Sequence, residues 1–467
     1  MHSVRHYRCA PIGCPASLPG DQSNFQSPIW TLGPMLNRIW VAAPLALAVC
    51  LPHTAQAQNI VENVTTPEES LRPPSPLGLP DVTAIALQNR AEIAAAKARA
   101  DALAQRPAIV SSLEDPMVSV SVDHYPFGAM MDGGRRYDRS ISVEQKFPLS
   151  GVLSHRRSAA IAEAERATAL TSVTELDVVL NAQRGFFMLW ERRRMRPVID
   201  EQITLASLLV DVAASRYASG GGAQADILRA EAEVARLQAK RQSLDAQNRS
   251  AEAMLNAGLG LPVDASVPEL AYQPSLAEPA SIAEVLELAT ENRPELAVGT
   301  AEVKRAGAET RAMRSMYKPM ATVKAGYAET MAEGRGAMLM VGISVPIWRR
   351  RLSSGVAEAQ AMQRMADADL EAMRRMVAGE TLAAREDVIA AQVQVNLLRQ
   401  DVLPRSKLAM EAALGSYSSG QGSLIAVVEA ARALWQAQGD EIMAESALGE
   451  AWSKFERATG DSQRRHP

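Results

Sequence analysis

Residues 216–220 read Arg-Tyr-Ala-Ser-Gly, and residues 416–420 read Ser-Tyr-Ser-Ser-Gly, 200 positions later. Each stretch closes about 70 residues rich in Ala, Leu, Glu, Arg and Gln, interrupted by one proline apiece, Pro197 and Pro404. A glycine after a long helical run supplies the positive φ that ends a helix, so each stretch reads as the turn of a helical hairpin. Two more landmarks recur at nearly the same spacing. Asn89-Arg90 returns as Asn292-Arg293, and Phe147-Pro148-Leu149 returns as Val345-Pro346-Ile347, at offsets of 203 and 198. A constant offset across separate landmarks is the mark of internal duplication. The chain therefore reads as two repeats, 81–261 and 281–460, joined by a linker at 262–280 and followed by a tail at 461–467.

Inside each repeat the order is helix, two strands, a long helix and a returning helix. The long helices are expected at 149–217 and 350–417, the returning ones at 223–258 and 423–458. Alternation of apolar and polar residues places strands at 117–125, 137–147, 320–328 and 336–347. Val118, Val120, Val122, Ile141, Val143, Leu339, Val341, Ile343 and Val345 fall on one face. Ser119, Ser121, Asp123, Ser142, Glu144, Met340, Gly342 and Ser344 fall on the other. Tyr125, Phe127, Tyr137 and Tyr327 stand at the loop ends, and Phe147, Tyr317 and Trp348 at or beyond the opposite ends. Aromatic rings at both margins of an apolar band are what a membrane barrel carries, although a soluble meander with aromatic caps fits the alternation too. Four strands cannot close a barrel, so strands that meet lipid require oligomerisation. At 1.5 Å per residue, a helix of about 70 residues reaches roughly 100 Å. The prolines are expected to kink these helices rather than end them. Met362 and Met365 recur as Met373 and Met376, an 11-residue period that favours straight or slightly right-handed packing in a seam.

Composition excludes much else. The 467 residues are 47% hydrophobic but only 4% aromatic, and the net charge of −4 gives no basic face for nucleic acid. All three cysteines (Cys9, Cys14, Cys50) precede residue 58, and the later histidines are His124, His155 and His466 alone. Thiol catalysis, structural disulfides and Cys-ligated zinc are thereby excluded from the main body, and the wide spacing of the histidines argues against a His-based metal enzyme. No phosphate loop, nucleophile elbow or paired-carboxylate motif is present, so no enzyme activity and no cofactor are expected. Residues 39–51 form an apolar run of signal-peptide length, followed by Ala55-Gln56-Ala57 as a cleavage site. Residues 1–57 thus read as presequence and signal peptide, with Met35 as the true start and Gln58 as the mature terminus. A lipoprotein signal ending at Cys50 is the alternative. Prolines at 67, 73, 74, 76 and 80 make residues 58–80 an extended arm.

The Asn-Arg signatures, the strand-ending Pro148 and Pro346, and the doubled Tyr-x-x-Gly turns occur in the order found in one family. Along essentially the whole mature chain, the sequence resembles the TolC family of outer-membrane efflux ducts, most of all those of heavy-metal and drug tripartite pumps. The resemblance implies a mainly α fold with a small β part, assembled as a homotrimer. Its long antiparallel helices would form a periplasmic tunnel, and four strands from each chain would share a 12-stranded outer-membrane β-barrel. It further implies a periplasmic adaptor (membrane fusion) protein and an inner-membrane efflux pump, of the RND type, as partners. The turns, with Tyr217, Gly220, Gly222, Tyr417, Gly420 and Gly422, would be the adaptor-contact tip. Asp226 and Glu429, with Arg216 beside them, would form a periplasmic gate; acids there are also favoured simply by the helix dipole. Alternation puts Met320, Met338 and Met340 on the lumenal face, where thioethers would suit Cu(I) or Ag(I). Two other readings remain: a soluble periplasmic coiled-coil scaffold or adaptor, and a metal-sequestering protein.

Overall fold

The computed structural model describes residues 73–123, 138–330 and 333–460. The expected signal peptide, Cys50, most of the proline-rich arm, Tyr125, Phe127, Tyr137, the first glycine loop, Met331 and the tail lie outside the described residues. In order, the elements are α1 (Leu79–Asn89), α2 (Ala91–Ser111), β1 (Met117–Asp123), β2 (Asp138–Pro148), α3 (Val152–Ala218) and α4 (Gln224–Leu259). They continue as α5 (Ile282–Asn292), α6 (Pro294–Ser315), β3 (Met320–Thr330), β4 (Gly334–Ser344) and α7 (Arg349–Leu397). A π turn (Leu398–Val402), α8 (Leu403–Ser418) and α9 (Leu424–Thr459) complete the chain.

The helix expected before each strand pair is in fact two helices. Arg90 breaks the first at φ −76°, ψ 121°, and Arg293 breaks the second at φ −69°, ψ 113°. Pro294 disfavours helical geometry at Arg293, but no proline follows Arg90, so packing must impose the break there. The returning helix does so. Gly260, in the left-handed region at φ 70°, lies so close to Asn89 that a Cβ would stand 2.8 Å from its carbonyl oxygen. Gly460, at φ 77°, approaches Asn292 in the same way, with 2.7 Å to its carbonyl oxygen. Each arginine then reaches across: Arg90 Nη1 donates to the Ala257 carbonyl at 2.6 Å, and Arg293 Nη1 to the Ala458 carbonyl at 3.3 Å. Asn-Arg is thus a docking corner for the end of the returning helix.

Prolines behave differently by position. Pro80, assigned from sequence to the arm, sits at the start of α1, where its missing N–H costs nothing. Pro107 lies inside α2, and Pro197 inside the uninterrupted 67 residues of α3. Pro404 has no N–H to offer the carbonyl four residues earlier, and the π turn falls where that carbonyl lies. The second long helix is therefore α7, π turn and α8 rather than one regular element. Of its methionines, Met362, Met365 and Met376 are about half exposed and fill no seam within the chain, whereas Met373 lies against Gly299 and Met410 is buried.

The sheet is antiparallel in the order β1-β2-β3-β4, which leaves one side of β1 and one side of β4 without a neighbour among the described residues. Register aligns Val120, Ile141, Tyr327 and Ala337 in one row, and Val118, Val143, Ala325 and Leu339 in the next. These rows belong to the apolar face, and Val120 and Leu339 are each 74% exposed. The opposite face carries Ser119 and Ser142, joined at 2.8 Å, and Ser121 and Ser140, joined at 2.8 Å. Gly326 stands opposite Ser142: a Cβ there would lie 2.7 Å from that of Ser142, so only glycine permits so close an approach.

Candidate functional site

Two regions of the chain carry the expected functional residues: the curved sheet and the two hairpin tips. On the outward face of the sheet, Arg139 and Arg335 both pair with Glu329 at 3.3 Å, making an ionic row across β2, β3 and β4. From that row to Phe147, eight residues along β2, the strand covers about 27 Å. The intervening face carries apolar residues with Tyr327 near one margin and Phe147 at the other, close to the height of a bilayer's apolar band. Gln145 is the polar exception, and its side chain donates to the Glu114 carbonyl at 2.8 Å.

Met320, Met338 and Met340 all lie on the polar face, on three different rows. Met338 is opposite Gly326, Met340 opposite Lys324, and Met320 opposite Ser344. Met117, not singled out from sequence, shares a row with Glu144, Lys324 and Met340. Among the described residues no group of three or more His, Cys, Asp or Glu side chains could hold a metal.

The tips are built alike. Gly220 and Gly420 have φ 77° and 84° and accept no β-carbon without strain. Gly222 and Gly422 fold back on the helix end, where a Cβ would lie 3.0 Å from the Tyr217 nitrogen and 3.1 Å from the Tyr417 nitrogen. The two tyrosines have opposite fates. Tyr217 is 50% exposed, whereas Tyr417 is buried among Leu209, Ala213, Leu424 and Val427. Its hydroxyl has no hydrogen-bond partner. Burial pushes the phenol's pKa up, the Asp226 carboxylate pushes it further, and the Arg216 guanidinium pulls it down.

Arg216 therefore belongs to the other hairpin as much as its own. It donates from Nη1 to the Tyr417 carbonyl at 2.6 Å and from Nη2 to the Gly221 carbonyl at 2.8 Å. Asp226, in the first turn of α4, pairs instead with Arg229 at 3.5 Å. Glu429 is exposed on α9 and has no basic partner among the described residues. A second link between hairpins went unrecognised in the sequence: Glu233, on α4, pairs with Arg236 and with Arg432 of α9. The single chain thus gathers Arg216, Asp226 and Tyr417 around one point and leaves Glu429 apart.

Comparison with known proteins places this geometry. Residues 285–461 match the family described as Outer membrane efflux protein. The Cobalt-zinc-cadmium resistance protein CzcC of Cupriavidus metallidurans is 25% identical over 419 residues, covering 86% of this chain and 94% of that protein. Among solved structures, that of CusC aligns with a TM-score of 0.72 at 14% identity, covering 82% of this chain and 92% of that one. The outer-membrane channel OprN aligns at 0.71 and 17% identity, over 82% of this chain and 90% of that one. The outer membrane protein VceC of Vibrio cholerae aligns at 0.69 and 16% identity, over 82% and 96%. The apolar strand face, the paired long hairpins and these similarities agree: the second half of the chain matches the outer membrane efflux protein family, and the chain as a whole has the fold of the channels CusC and OprN.

Proposed function

We propose that three copies of the chain join into one passive export duct. In this reading the duct crosses the outer membrane as a barrel and extends into the periplasm as a helical tunnel. The carrying observation is the four-stranded sheet that exposes an apolar face and ends in two unneighboured strands. Backbone groups at such edges cannot be left unpaired in lipid, so β1 of one copy must meet β4 of the next. A stripe on α7 and α8 supports the same association, with Met365, Met376, Leu397 and Leu408 all more than half exposed.

The tips, at Tyr217, Gly220 and Gly222 and at Tyr417, Gly420 and Gly422, would receive a periplasmic adaptor connected to an inner-membrane pump of the RND type. Asp226 and Glu429 would gate the mouth, with Arg216 holding neighbouring hairpins together. The cargo is heavy-metal ions or small toxic compounds. Similarity to a cobalt–zinc–cadmium resistance protein supports divalent metal, and the lumenal Met320, Met338 and Met340 would suit a soft monovalent ion such as Cu(I) or Ag(I). A deletion strain, freed of paralogues, should lose resistance to one of cobalt, zinc, cadmium, copper, silver or a panel of hydrophobic drugs. Its complemented protein should fractionate with outer membrane. Recovery in the soluble periplasm would instead support the scaffold reading and end this one.

A further inference from the structure

Where the strands give way to helices, the chain forms an open cavity of about 820 Å³. Lys146, Pro148, Met320 and Ser344 line it, and register puts all four on the polar face of the sheet. The strand wall of the cavity therefore lies on the channel side, and Val345 and Ile347, past the end of β4, close its margin. Four cations border it: Lys146 from β2, Arg156 from α3, Lys318 from the segment before β3, and Arg351 from α7. Lys146 has a partner in Glu114, at 4.0 Å. Arg156, Lys318 and Arg351 have no acidic partner among the described residues, and all three are exposed.

Apart from Glu114 beside Lys146, no acidic side chain among the described residues lines the cavity. Neither α3 nor α7 has an acidic residue in its first turn, and both present that turn, through Val152, Leu153, Arg351 and Leu352, to the cavity. The positive ends of two helices thus add to four cationic side chains. Charge alone would fit any anion. The walls narrow the choice, because Met313, Met316, Leu352 and the indole of Trp348 face the same space. An apolar floor under a cationic rim matches a ligand with one anionic group and an apolar body.

We propose that this neck cavity is a transit site for organic anions with an apolar body, such as aromatic sulfonates or carboxylates. It rests on the channel reading but not on the metal cargo. The thioethers of Met313 and Met316 lie among four cations, whose repulsion opposes a bare metal cation.

The test uses the full-length channel in planar bilayers of phosphatidylcholine alone, so that no anionic lipid competes. Naphthalene-2-sulfonate is the probe, and naphthyltrimethylammonium is its cationic counterpart of similar size. The sulfonate should interrupt single-channel current at concentrations about tenfold lower than the ammonium compound. Lys318→Gln with Arg351→Gln should weaken sulfonate block about fivefold to tenfold while the ammonium block stays unchanged or strengthens. Lys324→Gln, a polar-face lysine beyond the cavity, should leave sulfonate block as it was. Equal block by both probes, or block indifferent to the double variant, overturns the proposal. So does block by silver ion that is lost in Met313→Leu with Met316→Leu, which would make the cavity a soft-metal site. Absence of any conductance would fail the channel reading itself, a result distinct from an open channel that no probe blocks.

Discussion

Arg216 and Tyr417 lie 201 residues apart, yet the guanidinium of one donates to the backbone carbonyl of the other at 2.6 Å and covers its ring at 4.5 Å. The contact fastens the first hairpin's tip to the second's. A charge-assisted hydrogen bond with a cation–π contact at a half-buried site is worth about 2 kcal/mol. Arg216→Ala should therefore speed amide hydrogen exchange at the turns around 220 and 420 by about tenfold to thirtyfold. It should also raise single-channel conductance. Unchanged exchange at the second turn would show that the tips are held together by other groups.

The strand faces make a sharper contrast. Val120 is exposed on the apolar face, and Ser121 bonds to Ser140 on the opposite one. An arginine at position 120 would meet lipid at a cost of about 2–4 kcal/mol near mid-bilayer. Val120→Arg should block assembly into outer membrane, whereas Ser121→Arg should assemble and shift ion selectivity. Comparable yields of both variants in the membrane fraction would contradict the assigned faces.

The two corner arginines differ in burial, and their removal should differ accordingly. Arg293, with a side chain 4% exposed, pairs with Glu295 and Glu380, each at 2.9 Å. Arg90 is 22% exposed and pairs with Glu92. Arg293→Ala removes a buried cation that bonds two carboxylates and the Ala458 carbonyl, leaving Glu295 with Arg457 alone, and should cost about 2–3 kcal/mol, against about 1 kcal/mol for Arg90→Ala. Urea midpoints of the two variants in detergent would measure the difference, and equal midpoints would refute it.

Acid should weaken the same corner. Burial alone would raise the Glu295 pKa, but its backbone hydrogen bond together with Arg293 and Arg457 holds it below the ordinary value. A carboxyl depressed in the folded state contributes stability above its unfolded pKa, about 4.3, and loses it as pH falls through the folded value. Thermal stability should thus decline below about pH 4.3, and Glu295→Gln should flatten part of that decline while lowering stability at pH 7. A variant with the native acid slope would place the effect on other carboxylates.

What could be read from sequence was what local period dictates. Val118, Val120 and Val122 alternate with serines because a strand turns its side chains every second residue, and the glycines of the tips mark turns that no other residue makes. The Asn-Arg corners were visible as repeated letters but not as breaks. Residues 88–93 have ordinary helical composition, and the bend at Arg90 comes from Gly260, more than 160 positions away. Arg216 was noticed beside the expected gate acids, whereas its partners are carbonyls, which no side-chain pattern reveals. The neck cavity was equally invisible, since Lys146, Arg156, Lys318 and Arg351 come from four separate segments.

The paired corners also determine where the chain would give under load. Both halves dock the returning helix on an Asn-Arg corner, but only the second buries its arginine and surrounds it with carboxylates. Here the second hairpin is clamped at its shoulder, and the first rests on a wetter, weaker hinge. Mechanical compliance is therefore unequal between the two hairpins, and under strain the corner at Arg90 should yield before the one at Arg293.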